Sequence, residues 1–351
     1  MPYNPTMLKK NFGAVLHKPR DLRIMEIPIT EVDYGEVLLE VRSVGICASD
    51  VHYFQHGSIG KYVIKEPMVL GHEASGVVIA YGDGVTNVNV GDRIAVEPGV
   101  PCRFCSLCKS GRYNLCKDVR FLATPPVNGA LCKYLVHAAE FCHKLPDDLS
   151  FDEGALMEPL SVGIHACRRG KVSRGTKVLI MGAGPIGLAT LLAAKHSGAG
   201  MVAITDVRQE RLEVSKTIGA DITFNVDSGM RGATELLSYS PLFDVAIDCT
   251  GAESAIRTSI KKVRAGGAVV FVGMGGDDMN LPILDASTRE IDLLGVFRYA
   301  NTYPEACELL ANSELDPKTL ITHYFTLQET NEAFSLAENK GSGAIKIIIN
   351  P

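Results

Sequence analysis

Between Gly13 and Phe151, apolar and polar positions alternate in short runs such as Glu36-Val-Leu-Leu-Glu-Val-Arg42 and Ser75-Gly-Val-Val-Ile-Ala-Tyr81, broken by glycine, asparagine and proline turns. This two-residue period predicts strands in an irregular, mostly antiparallel β domain. Around Glu158-Pro159-Leu160 the pattern changes to a helix-like stretch reaching Arg169. Beyond it, apolar runs at 177–181, 201–205, 222–225, 245–248, 268–272 and 291–295 alternate with helical segments after Gly187, Arg208 and Glu253. Strands apolar on both faces and separated by helices predict a parallel sheet covered on each side, so the fold class is α/β. After Arg298 the pattern changes again, and Asn301-Thr302-Tyr303-Pro304 predicts a helix start, a capping-type residue before a first-turn proline. The apolar stretch 178–194 approaches the length of a membrane span but holds three glycines and a proline. It reads as a buried strand, turn and helix, and no membrane partner is expected.

A chain of 351 residues suggests two domains. Its net charge of −5 and pI near 6.0 give no basic field, so nucleic acid is not an expected partner. The opening residues Met1-Pro-Tyr-Asn-Pro-Thr-Met-Leu-Lys-Lys10 lack the apolar core of a secretory signal, which points to the cytoplasm. In that compartment the ten cysteines are expected as thiols, metal ligands or core fillers rather than disulfides. Cys132, Cys142, Cys167, Cys249 and Cys307 read as buried fillers.

Two motifs carry chemistry. Gly182-x-Gly184-x-x-Gly187 lies between an apolar strand and a helix starting near Ile186, where backbone N–H groups can approach a pyrophosphate. Asp206 closes the next predicted strand, placed to accept hydrogen bonds from ribose hydroxyls and to repel a 2′-phosphate. NAD is therefore favoured, while Arg208 and Arg211 nearby keep NADP as an alternative. The second motif, Cys102-x-x-Cys105-x-x-Cys108-x7-Cys116, offers four thiolates to a tetrahedral structural zinc. An iron–sulfur cluster fits less well, because ferredoxin runs place three residues before the last cysteine and a proline after it.

A further set is scattered: Cys47, His72-Glu73 and Glu158. Alone, His72 could be a hydrogen-bonded core residue and Glu158 a helix cap. Together they offer a thiolate, an imidazole and carboxylates, the donors of an open catalytic zinc that keeps one position for water or substrate.

At these residues the chain resembles the zinc-dependent medium-chain dehydrogenase/reductase superfamily over nearly its whole length, through Gly71-His72-Glu73-x-x-Gly76-x5-Gly82-x-x-Val85. Within it the resemblance is to the polyol (sorbitol) dehydrogenases or ketose reductases, through Ser49-Asp-Val-His-Tyr53, Glu97-Pro-Gly-Val-Pro-Cys102, Phe121-Leu-Ala-Thr-Pro-Pro126, Glu158-Pro-Leu-Ser-Val162 and Val296-Phe-Arg-Tyr299. The resemblance implies a GroES-like catalytic domain at 1–159 and 300–351, with a structural zinc lobe at 99–117. It also implies a Rossmann doubly wound parallel-sheet domain at 160–299, with the active site in the cleft between the domains.

It implies two zinc ions per chain. The catalytic one is placed on Cys47, His72 and Glu73, with Glu158 either ligating or holding a water, and which carboxylate ligates directly is left open. Tyr53, Phe121, Arg298 and Tyr299 would line the polyol site, with simple aromatic packing as the alternative for Phe121 and Tyr299. Ile186, Asp206, Arg211, Val272, Met274, Val296 and Arg298 would contact NAD. Ser49 is the first candidate for a proton relay, with His52 or a Glu158-held water beyond it, and capping of the next helix is its alternative role. The implied reaction is reversible oxidation of a sorbitol-like polyol, xylitol included, at C2 to the ketose by a homodimer or homotetramer. The competing activities are a threonine dehydrogenase-type or other secondary-alcohol reaction, or a catalytically silent structural role. Ala48 and Phe54 stand where many relatives have glycine and tyrosine, which bears on fine substrate preference.

Overall fold

The alternating runs pair much as their period predicts. The computed structural model describes residues 10–227, 231–276, 278–312, 316–339 and 341–351, so the signal-peptide reading of residues 1–9 lies outside the described residues. The chain divides into two units, Met1–Glu158 with Ile321–Pro351, and Pro159–Leu320. Residues 300–320, assigned from sequence to the first domain, fall in the second unit, and the chain returns to the first at Ile321.

The first unit is built on a seven-stranded sheet. Its strands run in the order Cys142–Lys144, Arg93–Val96, Glu73–Tyr81, Glu36–Gly45, Lys346–Asn350 and Ile321–Thr326, with Tyr134–Ala138 also pairing to Glu36–Gly45. All pairs are antiparallel except the last two strands of that order. A smaller sheet joins Asp21–Ile27, Asn11–Lys18 and Met68–Val69. Leu39, Val41, Val44, Leu131, Phe334 and Ile347 lie in the core of this unit, each 3% exposed or less. Burial of such side chains contributes about 1.5–3 kcal/mol apiece.

The second unit is the predicted parallel sheet. Its order is Ile222–Asn225, Met201–Asp206, Lys177–Met181, Phe243–Asp248, Val263–Phe271 and Asp292–Gly295, and every pair is parallel. The order reverses direction at Lys177–Met181, the topological switch point where ligands meet the carboxyl ends of such strands.

Helix Phe151–Arg169 starts seven residues before the helix-like texture noticed at Glu158. A capping box explains the early start: Glu153 Oε2 accepts from Ser150 N at 2.8 Å, and Ser150 Oγ accepts from Glu153 N at 3.3 Å. Pro159 lies inside the helix, where it lacks the N–H that would bond Ala155.

Candidate metal centres and dinucleotide crevice

Register brings the scattered donors together. Gly45, at the end of one strand, pairs with Glu73, at the start of its neighbour. Cys47 and His72 sit just outside those strand ends, and the donor atoms of Cys47, His72 and Glu73 all lie within 4.8 Å of one another. Glu73 and His72 are buried and Cys47 is half-buried. A thiolate, an imidazole and a carboxylate converging in this way are the three protein donors a catalytic zinc requires. Glu158, 5% exposed in helix Phe151–Arg169, falls outside this cluster, although its charge acts on Lys346 near it.

Asp50 organises the group and escaped the sequence reading. Its carboxylate accepts from Cys47 N at 3.1 Å and Gly71 N at 3.0 Å, and lies 3.5 Å from His72 Nδ1. A carboxylate on Nδ1 fixes the ring and leaves Nε2 for a metal. Burial acts to lower the His72 pKa, but the charges of Asp50 and Cys47 outweigh it and hold the metal-free ring well above the usual histidine range. Zinc binding would therefore release a proton. The signal for Asp50 was its place three residues after Cys47, the spacing of a capping box around helix Ala48–His56.

Ser49 is half-buried in that helix, and His52 Nδ1 lies 2.9 Å from Ser58 O. No hydrogen bond joins Ser49 to His52 among the described residues. Tyr53 is buried in the same helix, and the Phe121 ring lies 5.7 Å from that of His72.

The four sulfurs of Cys102, Cys105, Cys108 and Cys116 also lie within 4.8 Å of one another, with Cys105–Cys108 at 3.4 Å and Cys102–Cys108 at 3.9 Å. A tetrahedron with Zn–S bonds of about 2.3 Å needs sulfurs ~3.8 Å apart, so these residues fit structural zinc. Tyr113, in the same lobe, donates to Glu97 Oε1 at 2.6 Å, and His143 Nε2 lies 2.9 Å from Glu97 Oε2. Glu97 is buried and ties the lobe to the sheet.

In the second unit, Gly182 has φ +96° and a Cβ on Gly187 would sit 1.8 Å from Gly182 O, so the turn and the close packing of helix Pro185–His196 both require glycine. Gly184 caps that helix without a side chain, leaving its first N–H groups for an anion, and Ile186 follows Pro185 in the first turn. Asp206 accepts from Ala183 N at 2.7 Å and Arg208 N at 2.9 Å. Arg211 Nη1 lies 4.0 Å from Asp206, and its buried Nε has no hydrogen-bond partner. That orphaned donor and the bare helix end fit a dinucleotide. Val272 and Val296 each follow the last residue of a parallel strand, with Val296 N donating to Phe271 O at 2.9 Å. Met274 is 66% exposed. Arg298 has φ +53°, and its guanidinium lies 4.8 Å from the Phe297 ring centre, while Tyr299 is buried 5.8 Å from the Tyr303 ring.

Residues 33–147 match the alcohol dehydrogenase GroES-like domain family, and residues 185–312 match the zinc-binding dehydrogenase family. The chain is 50% identical over 345 residues to sorbitol dehydrogenase of Mus musculus, covering 97% of this chain and 96% of that one. This chain belongs to the zinc-dependent medium-chain dehydrogenases. Among other members of that family, sorbitol dehydrogenase of Gallus gallus is 47% identical over the same 97% and 96%. Among solved structures, L-idonate 5-dehydrogenase from Escherichia coli superposes with a TM-score of 0.90 at 31% identity, covering 98% of this chain and 99% of that one. The GroES-like and Rossmann-like parts expected of a zinc-dependent medium-chain dehydrogenase are both present, with donor sets for zinc and, at the glycine turn, an uncapped helix end that suits NAD.

Proposed function

We propose that this protein oxidises a polyol at C2 to the ketose, reversibly, with NAD as hydride acceptor. One observation carries the reading: the Cys47, His72 and Glu73 donors converge in a chain about half identical to sorbitol dehydrogenases over nearly its full length. Zinc bound there would act as a Lewis acid that acidifies a secondary hydroxyl, and bound NAD would accept the carbinol hydrogen as hydride.

Cys47, His72 and Glu73 would hold the ion, and Asp50 keeps two of them oriented. Ser49, two residues from Cys47, takes the hydroxyl proton, with His52 or a water held by Glu158 as its outlet. Arg298 donates several fixed hydrogen bonds to vicinal hydroxyls, which favours a polyol over a simple alcohol. Tyr53, Phe121 and Tyr299 supply the apolar walls. Gly182, Gly184, Gly187 and Ile186 seat the pyrophosphate, Asp206 and Arg211 the adenosine end, and Val272, Met274 and Val296 the remainder of NAD. Cys102, Cys105, Cys108 and Cys116 would hold the second, structural zinc.

Ten cysteines, none of them in a disulfide among the described residues, suit a reducing cytoplasm. Among the described residues no helix is long and apolar enough to cross a membrane. Strand Asp292–Gly295 ends its sheet with Leu293 exposed, and Ile283 and Leu284 are 53% and 78% exposed nearby in sequence, which supports a homo-oligomer.

The test is a polyol panel assayed with NAD and NADP, with zinc measured on the same sample. Turnover of sorbitol or xylitol with NAD is expected, and Cys47→Ser should lose one zinc and ~10³-fold or more in activity. Substantial activity in a zinc-depleted Cys47→Ser protein, or turnover of threonine alone, refutes the proposal.

A further inference from the structure

Lys346 is 2% exposed, and its ammonium nitrogen lies 2.7 and 2.6 Å from the two oxygens of Glu73, which is fully buried. It donates a third hydrogen bond, at 3.2 Å, to the carbonyl of Ile46, the residue before Cys47. The strand that carries it is fixed at this spot by backbone pairing: Ile348 pairs with Gly45, and Ile46 N donates to Ile347 O at 3.0 Å. The carboxylate also packs on bare backbone, since a Cβ on Gly45 would lie 2.0 Å from Glu73 Oε2. Glu73 is thus confined by Gly45 and by a lysine that engages both of its oxygens.

A buried carboxylate persists only if its charge is paired. Here two partners draw on the same group, the lysine and any cation gathered by Cys47, His72 and Glu73. Resting on the catalytic-metal reading above, we infer that Lys346 is a positioning residue that competes with the metal for Glu73, neutralising the carboxylate in the metal-free chain and weakening it as a ligand in the metal-bound one. By linkage, a group that stabilises the metal-free state lowers metal affinity and makes the fold less dependent on the ion. The carboxylate ligand is then a labile one, poised between lysine and metal.

The experiment compares full-length wild type with Lys346→Met, Lys346→Arg, Glu73→Gln and the Lys346→Met/Glu73→Gln double variant. Zinc affinity is measured by competition with a chromogenic chelator, with Cys47→Ser as the blank for the cysteine lobe, and Tm is measured before and after chelation. Lys346→Met should bind the Cys47-dependent zinc at least ~10-fold tighter, the scale set by one buried charge near the ion. It should also lose more Tm than wild type on chelation. Lys346→Arg should match wild type, and in the Glu73→Gln background Lys346→Met should leave the affinity unchanged. A Lys346→Met chain that folds only with zinc and is rescued by Glu73→Gln bears the inference out as well. Equal or weaker affinity in Lys346→Met, a tightening that persists with Glu73→Gln, or a chain unfolded even with zinc overturns it. A wild type with zinc only in the cysteine lobe defeats the metal reading itself, and the inference with it.

Discussion

His137 shows how one buried side chain sets a pH limit. It is 5% exposed, and its Nε2 lies 2.9 Å from Glu97 O. Burial holds its pKa down to about 4, with Arg120 and His143 adding in the same direction. Below the unfolded value of 6.5 the unfolded chain takes up a proton that the folded ring refuses. The stabilising contribution is therefore complete above that value and declines as pH falls toward about 4, by at most ~3 kcal/mol. Urea denaturation at pH 7 and pH 5 should show wild type losing ~2 kcal/mol more than His137→Gln; equal slopes would contradict this. The sequence shows His137 only as one polar position in an alternating strand, because its environment comes from Glu97, 40 residues away. Asp50 could have been anticipated from its capping spacing. Lys346 left a signal too, a single charge in the apolar run Ala344-Ile-Lys-Ile-Ile-Ile349, but not its partner, 273 residues distant.

At the scale of elements, legibility follows how local the cause is. The cysteine lobe was readable because four donors within fifteen residues wrap one ion without help from the rest of the chain. Strand Val263–Phe271 was read five residues short, since Arg264-Ala-Gly-Gly267 has no apolar period and is held by the strand beside it. Helix Gly232–Ser238 was missed, being only seven residues long and beginning on a glycine. The lobe is a separable element held to its unit by the Glu97 network and by the Arg103–Glu140 ion pair at 2.7 Å. Cys108→Ser should release one zinc, lower local stability by ~3 kcal/mol or more, and open the segment to proteolysis. Limited proteolysis mapped by mass spectrometry checks it: cleavage spread over both units, instead of within 99–117, would show that the lobe is not an independent element.

For the whole molecule, the parallel sheet was legible from apolar runs alone, because a sheet covered on both faces leaves an unbroken hydrophobic signature, whereas its strand order and switch point come from the structure. The return of the chain to the first unit was not, since the pairing of Lys346–Asn350 with Glu36–Gly45 has no local cause. Assembly belongs to this scale as well. Sedimentation should give a multiple of the 37.8 kDa chain mass, and Leu284→Glu with Leu293→Glu should shift the particle toward that mass; a wild-type monomer would remove the support drawn from the exposed strand.

The closing strand of the chain has a consequence for biosynthesis. Cys47, His72 and Glu73 leave the ribosome early, whereas the lysine between Glu73 and Ile46 follows Glu73 by 273 residues. A nascent polypeptide therefore displays the thiol, the imidazole and an uncompensated carboxylate throughout translation of the intervening unit. Only the later emergence of strand Lys346–Asn350 supplies the cation that completes the pocket, so synthesis itself orders the events: donors first, counterion last.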